Sequence, residues 1–157
     1  MSLTEDMETL RSIPLFAKIE PAKLKLLAFT SERLRFMAGD EVCREGDHGD
    51  AAYIILEGEA DVSVATDNGP LVVASLGKND IIGEIAVLCN VPRTATVAAK
   101  TDLETLKVAK DNFFQLVTQF PQIGIQVMHE LAERLHQTTQ DLTRAKARLA
   151  SVEGPRP

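Results

Sequence analysis

Three residues within an eleven-residue stretch carry most of the chemistry that this sequence offers. Gly83 and Glu84 are adjacent, and Arg93 follows nine positions after the glutamate. Arg93 is the only cation between positions 79 and 99, and its neighbours are mostly small or aliphatic. Because a guanidinium in apolar surroundings needs an anion, and because its planar fork matches phosphate oxygens, these residues predict a site for one bound phosphate.

A short helix is expected to complete this phosphate site. The residues Glu84–Leu88 are good helix formers, and they follow directly after Gly83, which allows another backbone to approach closely. The first N–H groups of a helix have no partner within it and attract negative charge. The sequence therefore predicts a phosphate held by helix amides and by Arg93, with the Glu84 carboxylate placed to accept hydrogen bonds from sugar hydroxyls.

Strands must position this segment. From Glu32 to about Val108 the chain consists of short stretches rich in β-branched residues, separated by clusters of glycine, proline, asparagine and aspartate. Seven or eight such strands, spaced by roughly 8–12 residues, predict a closed antiparallel barrel or jelly roll. Ala51–Leu56 is apolar throughout and is expected to be a buried strand, and Asp67–Pro70 is expected to be a hairpin tip.

Helices are expected on both sides of the strands. Two short amphipathic helices are predicted near the start, one among the apolar residues from Leu10 to Ile19 and one beginning at Pro21. A further helix is predicted over Asp111–Phe120, and Pro121 begins a long one. The expected fold is mainly β, an antiparallel jelly roll of the double-stranded β-helix type with N-terminal helices and a long C-terminal helix. We expect one domain over residues 1–157, with helices in 1–30, the barrel in 31–109 and helices in 110–153.

A heptad pattern on the long helix predicts an interface. Its members recur at alternating steps of three and four: Met128, Leu131, Leu135, Thr138, Leu142, Ala145, Leu149 and Val152. This seam extends beyond what a barrel about 25–30 Å tall would cover with a helix that rises 1.5 Å per residue. A homodimer formed through the C-terminal helix is the simplest interpretation, and a lid over the protein's own barrel is the alternative.

Two motifs together resemble the cyclic nucleotide-binding domain family. The segment Gly83–Val97, with a Gly-Glu-aliphatic-Ala start and an Arg-Thr-Ala continuation, is similar to the family's phosphate-binding cassette. The upstream run from Gly46 through Tyr53–Gly58 to Val62 is similar to its first barrel signature. The likeness covers roughly residues 10 to 145. One departure is Asn79, where the family commonly has glycine, and asparagine tolerates the left-handed backbone that such a turn requires.

The resemblance implies roles for individual residues. The backbone amides of Gly83, Glu84, Ile85 and Ala86 would contact phosphate and ribose, Glu84 would accept the ribose 2′-hydroxyl, and Arg93 would pair with the cyclic phosphate. Thr94 would reach the phosphate or a guanine amino group. The base would lie against Val62, Val73 and Leu76, and Thr138 and Thr139 would contact the adenine amino group, the second of them from the other subunit.

The resemblance leaves the choice between cAMP and cGMP open. Thr94 favours tolerance of guanine, whereas Thr138 and Thr139 favour adenine, and on balance cAMP is preferred. We expect a regulatory protein that changes its C-terminal helix on binding and signals to a separate, unidentified partner protein. One alternative is the sensor part of a transcription regulator whose DNA-binding domain lies outside this chain, and another is a scaffold that has lost its ligand.

Composition excludes several other classes of function. The 157 residues carry a formal net charge of −6, which repels nucleic acid and anionic lipid, so neither is expected as a direct partner. No signal peptide or membrane span is recognisable, and a cytoplasmic location is expected. Neither catalytic residues nor a cofactor or metal site is expected, since the three histidines lack ligand spacing. Cys43 and Cys89 are expected to be free thiols.

Overall fold

The computed structural model describes residues 3–13 and 16–153. The remaining positions of the expected domain, 1–2, 14–15 and 154–157, lie outside the described residues. The elements are α1 (Leu3–Arg11), α2 (Pro21–Thr30), β1 (Glu32–Phe36), β2 (Glu41–Cys43), β3 (Ala51–Glu57), β4 (Ala60–Thr66), β5 (Gly69–Leu76), β6 (Ile81–Ile82), α3 (Glu84–Cys89), β7 (Thr96–Ala99), β8 (Leu103–Ala109), α4 (Lys110–Gln119) and α5 (Pro121–Glu153).

The strands form two four-stranded antiparallel sheets, in the orders β1-β8-β3-β6 and β2-β7-β4-β5. This arrangement confirms the expected fold class, a mainly antiparallel β structure with flanking helices and a long C-terminal helix. The hairpin of β4 and β5 turns at Asp67 and Asn68, within the segment predicted for its tip. Asn79 has a φ of 74°, so it adopts the left-handed backbone expected at that turn.

Strand β3 is buried on both faces, which explains its unbroken apolar sequence. Alternate side chains at Ala51, Tyr53 and Ile55 pack with residues of both sheets in a cluster between them. The side chains between these, including Ala52 and Ile54, belong to a second cluster that the helices cover. Because β3 pairs with β6, which directly precedes α3, it places the predicted phosphate segment against the inside of the barrel.

The first helix lies earlier in the chain than the sequence predicted. Helix α1 ends at Arg11, and the residues from Phe16 to Ile19 form a short turn rather than part of a helix. Phe16 and Ile13 are nevertheless almost fully buried in the helix-covered cluster. The apolar pattern thus identified core residues correctly but assigned them to the wrong local structure, since burial alone does not require a helix.

Helix α5 begins packed against the domain and then leaves it. Ile123 and Val127 are buried, and Leu131 packs partly against the same cluster. The helix has 33 residues and is therefore about 50 Å long. Every described side chain after Arg134 is exposed. The exposed apolar side chains on it include the seam positions Met128, Leu135, Leu142, Leu149 and Val152. In the described part of the chain, no helix combines the length and apolar character needed to cross a bilayer.

Candidate functional site

A cavity of about 120 Å³ opens where α3 meets the two sheets. Eight of the eleven residues that the sequence predicted to bind the ligand line this cavity. The cavity is lined by Cys43, Val62, Leu76, Ile81, Gly83, Glu84, Ile85, Ala86, Arg93, Thr94, Ala95, Val97 and Arg134. The sequence motif and the strands far from it in the chain therefore form a single concave surface.

Arg93 is the buried cation at the floor of this cavity. Its side chain is only 5% exposed. Its Nη1 donates to the Gly83 carbonyl at 3.1 Å and its Nη2 donates to the Ala51 carbonyl at 2.7 Å. Among the described residues no carboxylate lies within 4.0 Å of this guanidinium. The two carbonyls orient the group, and no carboxylate of the described residues pairs with it directly, which is the state expected of a site for an anion.

Two glycines make room for the guanidinium. Gly83 has a φ of 82°, and a Cβ atom added there would collide with Nη1 of Arg93. A Cβ atom on Gly49 would lie 2.7 Å from the Ala86 Cβ and 3.0 Å from the Arg93 Cζ. Sequence reasoning singled out Gly83 but missed Gly49, because a glycine within a glycine- and aspartate-rich turn is already explained by the turn.

The backbone amides predicted to bind phosphate open helix α3. The helix begins at Glu84, and its first internal hydrogen bond runs from the Val87 N–H to the Gly83 carbonyl, at 3.4 Å. The N–H groups of residues 84–86 therefore precede the point where the helix satisfies its own donors. Residues 84–86 and Arg93 all line the cavity, so the start of the helix and the buried positive charge border the same space.

Glu84 is paired with an arginine that the sequence did not reveal. Its side chain is 5% exposed, and its Oε1 accepts a hydrogen bond from Nη1 of Arg134 at 2.6 Å. Burial raises the pKa of the Glu84 carboxyl, and the nearby Arg134 charge opposes that rise. Arg134 also donates to the Ile81 carbonyl at 3.3 Å, so α5 is fastened directly to the segment that enters α3.

Arg134 also lines a larger cleft beside α5. The cleft measures about 710 Å³ and includes Asp80 and the α5 residues Glu130 and Glu133 in its walls. Arg134 lines both spaces. Burial raises the pKa of Glu130 here, and Arg134 opposes this rise as well. Arg134 is therefore shared by the walls of the cavity and of the cleft.

Three predicted ligand residues lie outside the cavity. Val73 is 51% exposed, at the position where β5 has one residue more than β4, since Val62 pairs with Ala74 and Ser63 pairs with Val72. Thr138 and Thr139 are exposed on the projecting part of α5. In this conformation of a single chain none of the three side chains lines the cavity, and their roles stay predictions.

The sequence profile described as the cyclic nucleotide-binding domain matches residues 33–120. The chain belongs to this family. The match includes the whole of α3 and Arg93, and it extends through α4 to the residue before α5. The matched range includes most of the residues that line the cavity.

Curated relatives of the domain are regulatory proteins. The cAMP-dependent protein kinase regulatory subunit of Aspergillus niger is 35% identical over 108 residues, which are 69% of this chain and 26% of that protein. The CRP-like cAMP-activated global transcriptional regulator of Mycobacterium tuberculosis is 27% identical over 136 residues, 86% of this chain and 61% of the regulator. The chain therefore spans about a quarter of the kinase subunit it matches.

Solved structures agree with the fold. The catabolite activator protein of Thermus thermophilus superposes with a TM-score of 0.72 at 25% identity, covering 85% of this chain and 63% of that one. A cyclic nucleotide-binding-like protein from Brucella abortus has a TM-score of 0.60 at 32% identity, covering 73% and 98% of the two chains. The domain thus shares its architecture with the catabolite activator protein of Thermus thermophilus and with the Brucella abortus protein.

Proposed function

We propose that this domain is a sensor of a 3′,5′-cyclic nucleotide, with cAMP preferred over cGMP. The observation that carries the proposal is the buried Arg93 guanidinium, which has two oriented hydrogen bonds and no carboxylate partner among the described residues. A cyclic phosphate supplies one negative charge and two free oxygens, which match this guanidinium and the amides of residues 84–86. The named relatives are cAMP-dependent or cAMP-activated regulators.

In this proposal different residues of the cavity contact different parts of the nucleotide. Gly83, Ile85 and Ala86 contribute backbone donors and close approach to the phosphate and ribose. Thr94 adjoins the arginine in the same wall, where its hydroxyl can donate to a phosphate oxygen. The apolar side chains of Val62 and Leu76 form the part of the wall that suits a base. We propose no metal or cofactor besides the nucleotide.

Ligand binding is proposed to move α5 through Arg134. A cavity of 120 Å³ is smaller than the roughly 300–1000 Å³ usual for small-molecule sites, so it accommodates only part of a nucleotide as it stands. A ribose hydroxyl that donates to Glu84 competes with Arg134 for the same carboxylate. Rearrangement of Arg134 would join the cavity to the neighbouring cleft and release or re-seat α5. The domain would thereby convert nucleotide binding into a change at its long helix.

A melting experiment tests nucleotide binding itself. Ligand at about 100 times its dissociation constant adds about 2.7 kcal/mol to the free energy of unfolding, which for a domain of this size raises the melting temperature by roughly 5–10 °C. We expect such a rise with cAMP and a smaller one with cGMP at equal concentration. No rise with either nucleotide at millimolar concentration contradicts the proposed function.

The role of Glu84 is tested by a ribose comparison. Glu84→Ala removes the proposed acceptor of the 2′-hydroxyl, so the affinity for cAMP is expected to fall by about tenfold or more, as for a lost hydrogen bond to a charged group. The affinity for 2′-deoxy-cAMP is expected to change much less, because that ligand never makes the contact. Titration of wild type and variant with both nucleotides gives the answer, and an equal loss for both would assign Glu84 a purely structural role.

Cysteine alkylation reports occupancy of the cavity. Cys43 lines the cavity and burial raises the pKa of its thiol, whereas Cys89 is exposed. With iodoacetamide, Cys89 is expected to react rapidly and Cys43 slowly. Saturating cAMP should slow the reaction of Cys43 further and leave Cys89 unchanged, as measured by mass spectrometry in the single-cysteine variants Cys89→Ser and Cys43→Ser. Equal rates for Cys43 with and without cAMP would place the nucleotide elsewhere.

We further propose that residues 1–157 act as one unit that forms a homodimer through α5. The exposed apolar seam supports this, because a helix of this length with an apolar stripe needs a partner surface. A second copy would bring its own Thr139 toward the nucleotide, as the resemblance implies. A separate protein would receive the signal. The alternative is a sensor that forms part of a longer transcription regulator. It is supported by the similarity to the regulator of Mycobacterium tuberculosis, of which the match covers 61%.

A further inference from the structure

Carboxylates outnumber arginines in the walls of the nucleotide cavity and the neighbouring cleft. Among the described residues that line these two spaces, the arginines are Arg93 and Arg134, and the carboxylates are Asp80, Glu84, Glu130 and Glu133. Two histidines also line the cleft, and one of them, His129, pairs with Glu133 at 3.2 Å. Because negative walls repel negative ligands, this excess limits which anion can bind.

The positive charge available to a ligand is that of Arg93. Nη1 of Arg134 lies 2.6 Å from Oε1 of Glu84, so these two opposite charges compensate each other. No described carboxylate lies within 4.0 Å of the Arg93 guanidinium, whose hydrogen-bond acceptors are the carbonyls of Gly83 and Ala51. Because one guanidinium compensates one negative charge, the site matches a ligand with a single charge.

The remaining carboxylates repel further negative charge. Burial raises the pKa of the Glu84 and Glu130 carboxyls, and the charge of Arg134 opposes this rise. The negative charge of Asp80 adds to the rise in both pKa values, so the three carboxylates are close enough to repel one another. No described cation lies within 4.0 Å of the Asp80 or Glu130 carboxylate. A second negative charge on a ligand would therefore add to this repulsion.

We propose that Asp80 and Glu130 are specificity residues that make this site reject phosphates with two negative charges. The inference rests on the proposed cyclic nucleotide site and concerns the ligands that the site refuses. A 3′,5′-cyclic phosphate is a diester and carries one charge, whereas the monoester 5′-AMP carries close to two at neutral pH. Arg93 compensates the first charge. The second is repelled by the carboxylates and loses hydration in a partly buried cavity, without a cation of its own.

The other contacts proposed for the nucleotide do not supply this choice. Cyclic and acyclic adenine nucleotides have the same base and the same 2′-hydroxyl, so Val62, Leu76 and Glu84 can contact both. The two ligands differ at the phosphate, in charge as well as in ring closure. A ligand that is acyclic but has one charge therefore distinguishes the two causes.

Titration with three adenine nucleotides tests the proposal. They are cAMP, 5′-AMP and the methyl ester of 5′-AMP, which is acyclic and has one charge, and weak ligands are measured by their displacement of cAMP. We expect the 157-residue chain to bind the methyl ester about tenfold more tightly than 5′-AMP, or more. Glu130→Gln and Asp80→Asn should each lower this ratio by about two- to fivefold, the size of a charge interaction over several ångströms near a protein surface.

Two controls accompany these variants. Asp141→Asn removes a carboxylate from the same helix, about 16 Å beyond Glu130 and outside the lining of both spaces. This distance exceeds the screening length of about 8 Å at physiological ionic strength, so the ratio should stay unchanged. Raising the ionic strength to about 0.5 M should lower the ratio in wild type. Asp80→Asn keeps an oxygen that can accept the hydrogen bond from the Gly77 N–H, so the turn is preserved.

Several results would overturn the proposal. Equal affinity of wild type for 5′-AMP and its methyl ester would show that charge is not discriminated. A methyl ester that fails to displace cAMP at millimolar concentration would assign the choice to ring closure alone. A ratio that stays the same in Glu130→Gln and Asp80→Asn would remove these residues from the account. In each of these cases cAMP still binds, whereas a chain that binds none of the three nucleotides contradicts the proposed function as well.

Discussion

Arg93→Ala is expected to lower the affinity for cAMP by more than a hundredfold. The variant leaves the phosphate charge without its guanidinium in a partly dry cavity, and removal of one partner from a buried charge pair costs about 3–5 kcal/mol. Each 1.4 kcal/mol corresponds to a tenfold change in the dissociation constant. Arg93 also ties the carbonyls of Gly83 and Ala51 together, so the unliganded variant should melt at a lower temperature than wild type. Affinity is therefore measured below the melting transition of the variant.

Arg93→Lys is the matched variant for this prediction. A lysine keeps the positive charge but has a single ammonium in place of the planar fork, so it cannot hold both carbonyls and two phosphate oxygens in the same geometry. We expect its affinity for cAMP to lie between those of wild type and Arg93→Ala. Wild-type affinity in the lysine protein would show that the cavity needs only a charge, and that the bidentate interpretation is wrong.

Replacing Leu135 and Leu142 together by glutamate is expected to convert a dimer into monomers. The two leucines are 68% and 54% exposed in the single chain and lie seven residues apart on the seam. Across a helix pair the new carboxylates would be buried opposite like charges, which opposes association strongly. Sedimentation velocity measures the change, and the barrel should stay folded, because neither leucine is buried in it.

The control for the dimer prediction alters the other side of the same helix. Gln140→Glu with Ala147→Glu adds the same two charges at the same separation, on positions opposite the seam in the heptad, and should leave the dimer intact. A dimer that survives Leu135→Glu/Leu142→Glu would mean that the seam covers the protein's own barrel as a lid. A monomer with unchanged preference for cAMP over cGMP would limit Thr139 to a structural role.

Local patterns predicted the parts of the fold that are determined by local physics. The unbroken apolar run of β3 indicated burial on both faces, and the glycine before Glu84 indicated the start of α3. Both depend on residues adjacent in the chain. The first helix was misplaced because the buried Ile13 and Phe16 lie in the segment that follows α1, where the chain turns rather than continues as a helix.

The site was less predictable where contacts join distant residues. Arg134 lies 50 positions from its partner Glu84, and in the sequence it is one of several cations on a polar stretch of α5. The environment of Arg93 was predicted as apolar, whereas two carbonyls from separate elements contact it. The bulge at Val73 is a property of the β4–β5 pairing, which neither strand encodes alone.

Isothermal titration of the 157-residue chain with cAMP and cGMP, in wild type and in Arg93→Ala, tests the central claim most directly. We predict one nucleotide bound per subunit, tighter binding of cAMP than of cGMP, and a loss of more than a hundredfold in the variant. Tighter binding of cGMP would reverse the assigned preference but leave the site intact. The absence of binding heat and of a melting shift with either nucleotide, or equal affinity in wild type and Arg93→Ala, would contradict the account.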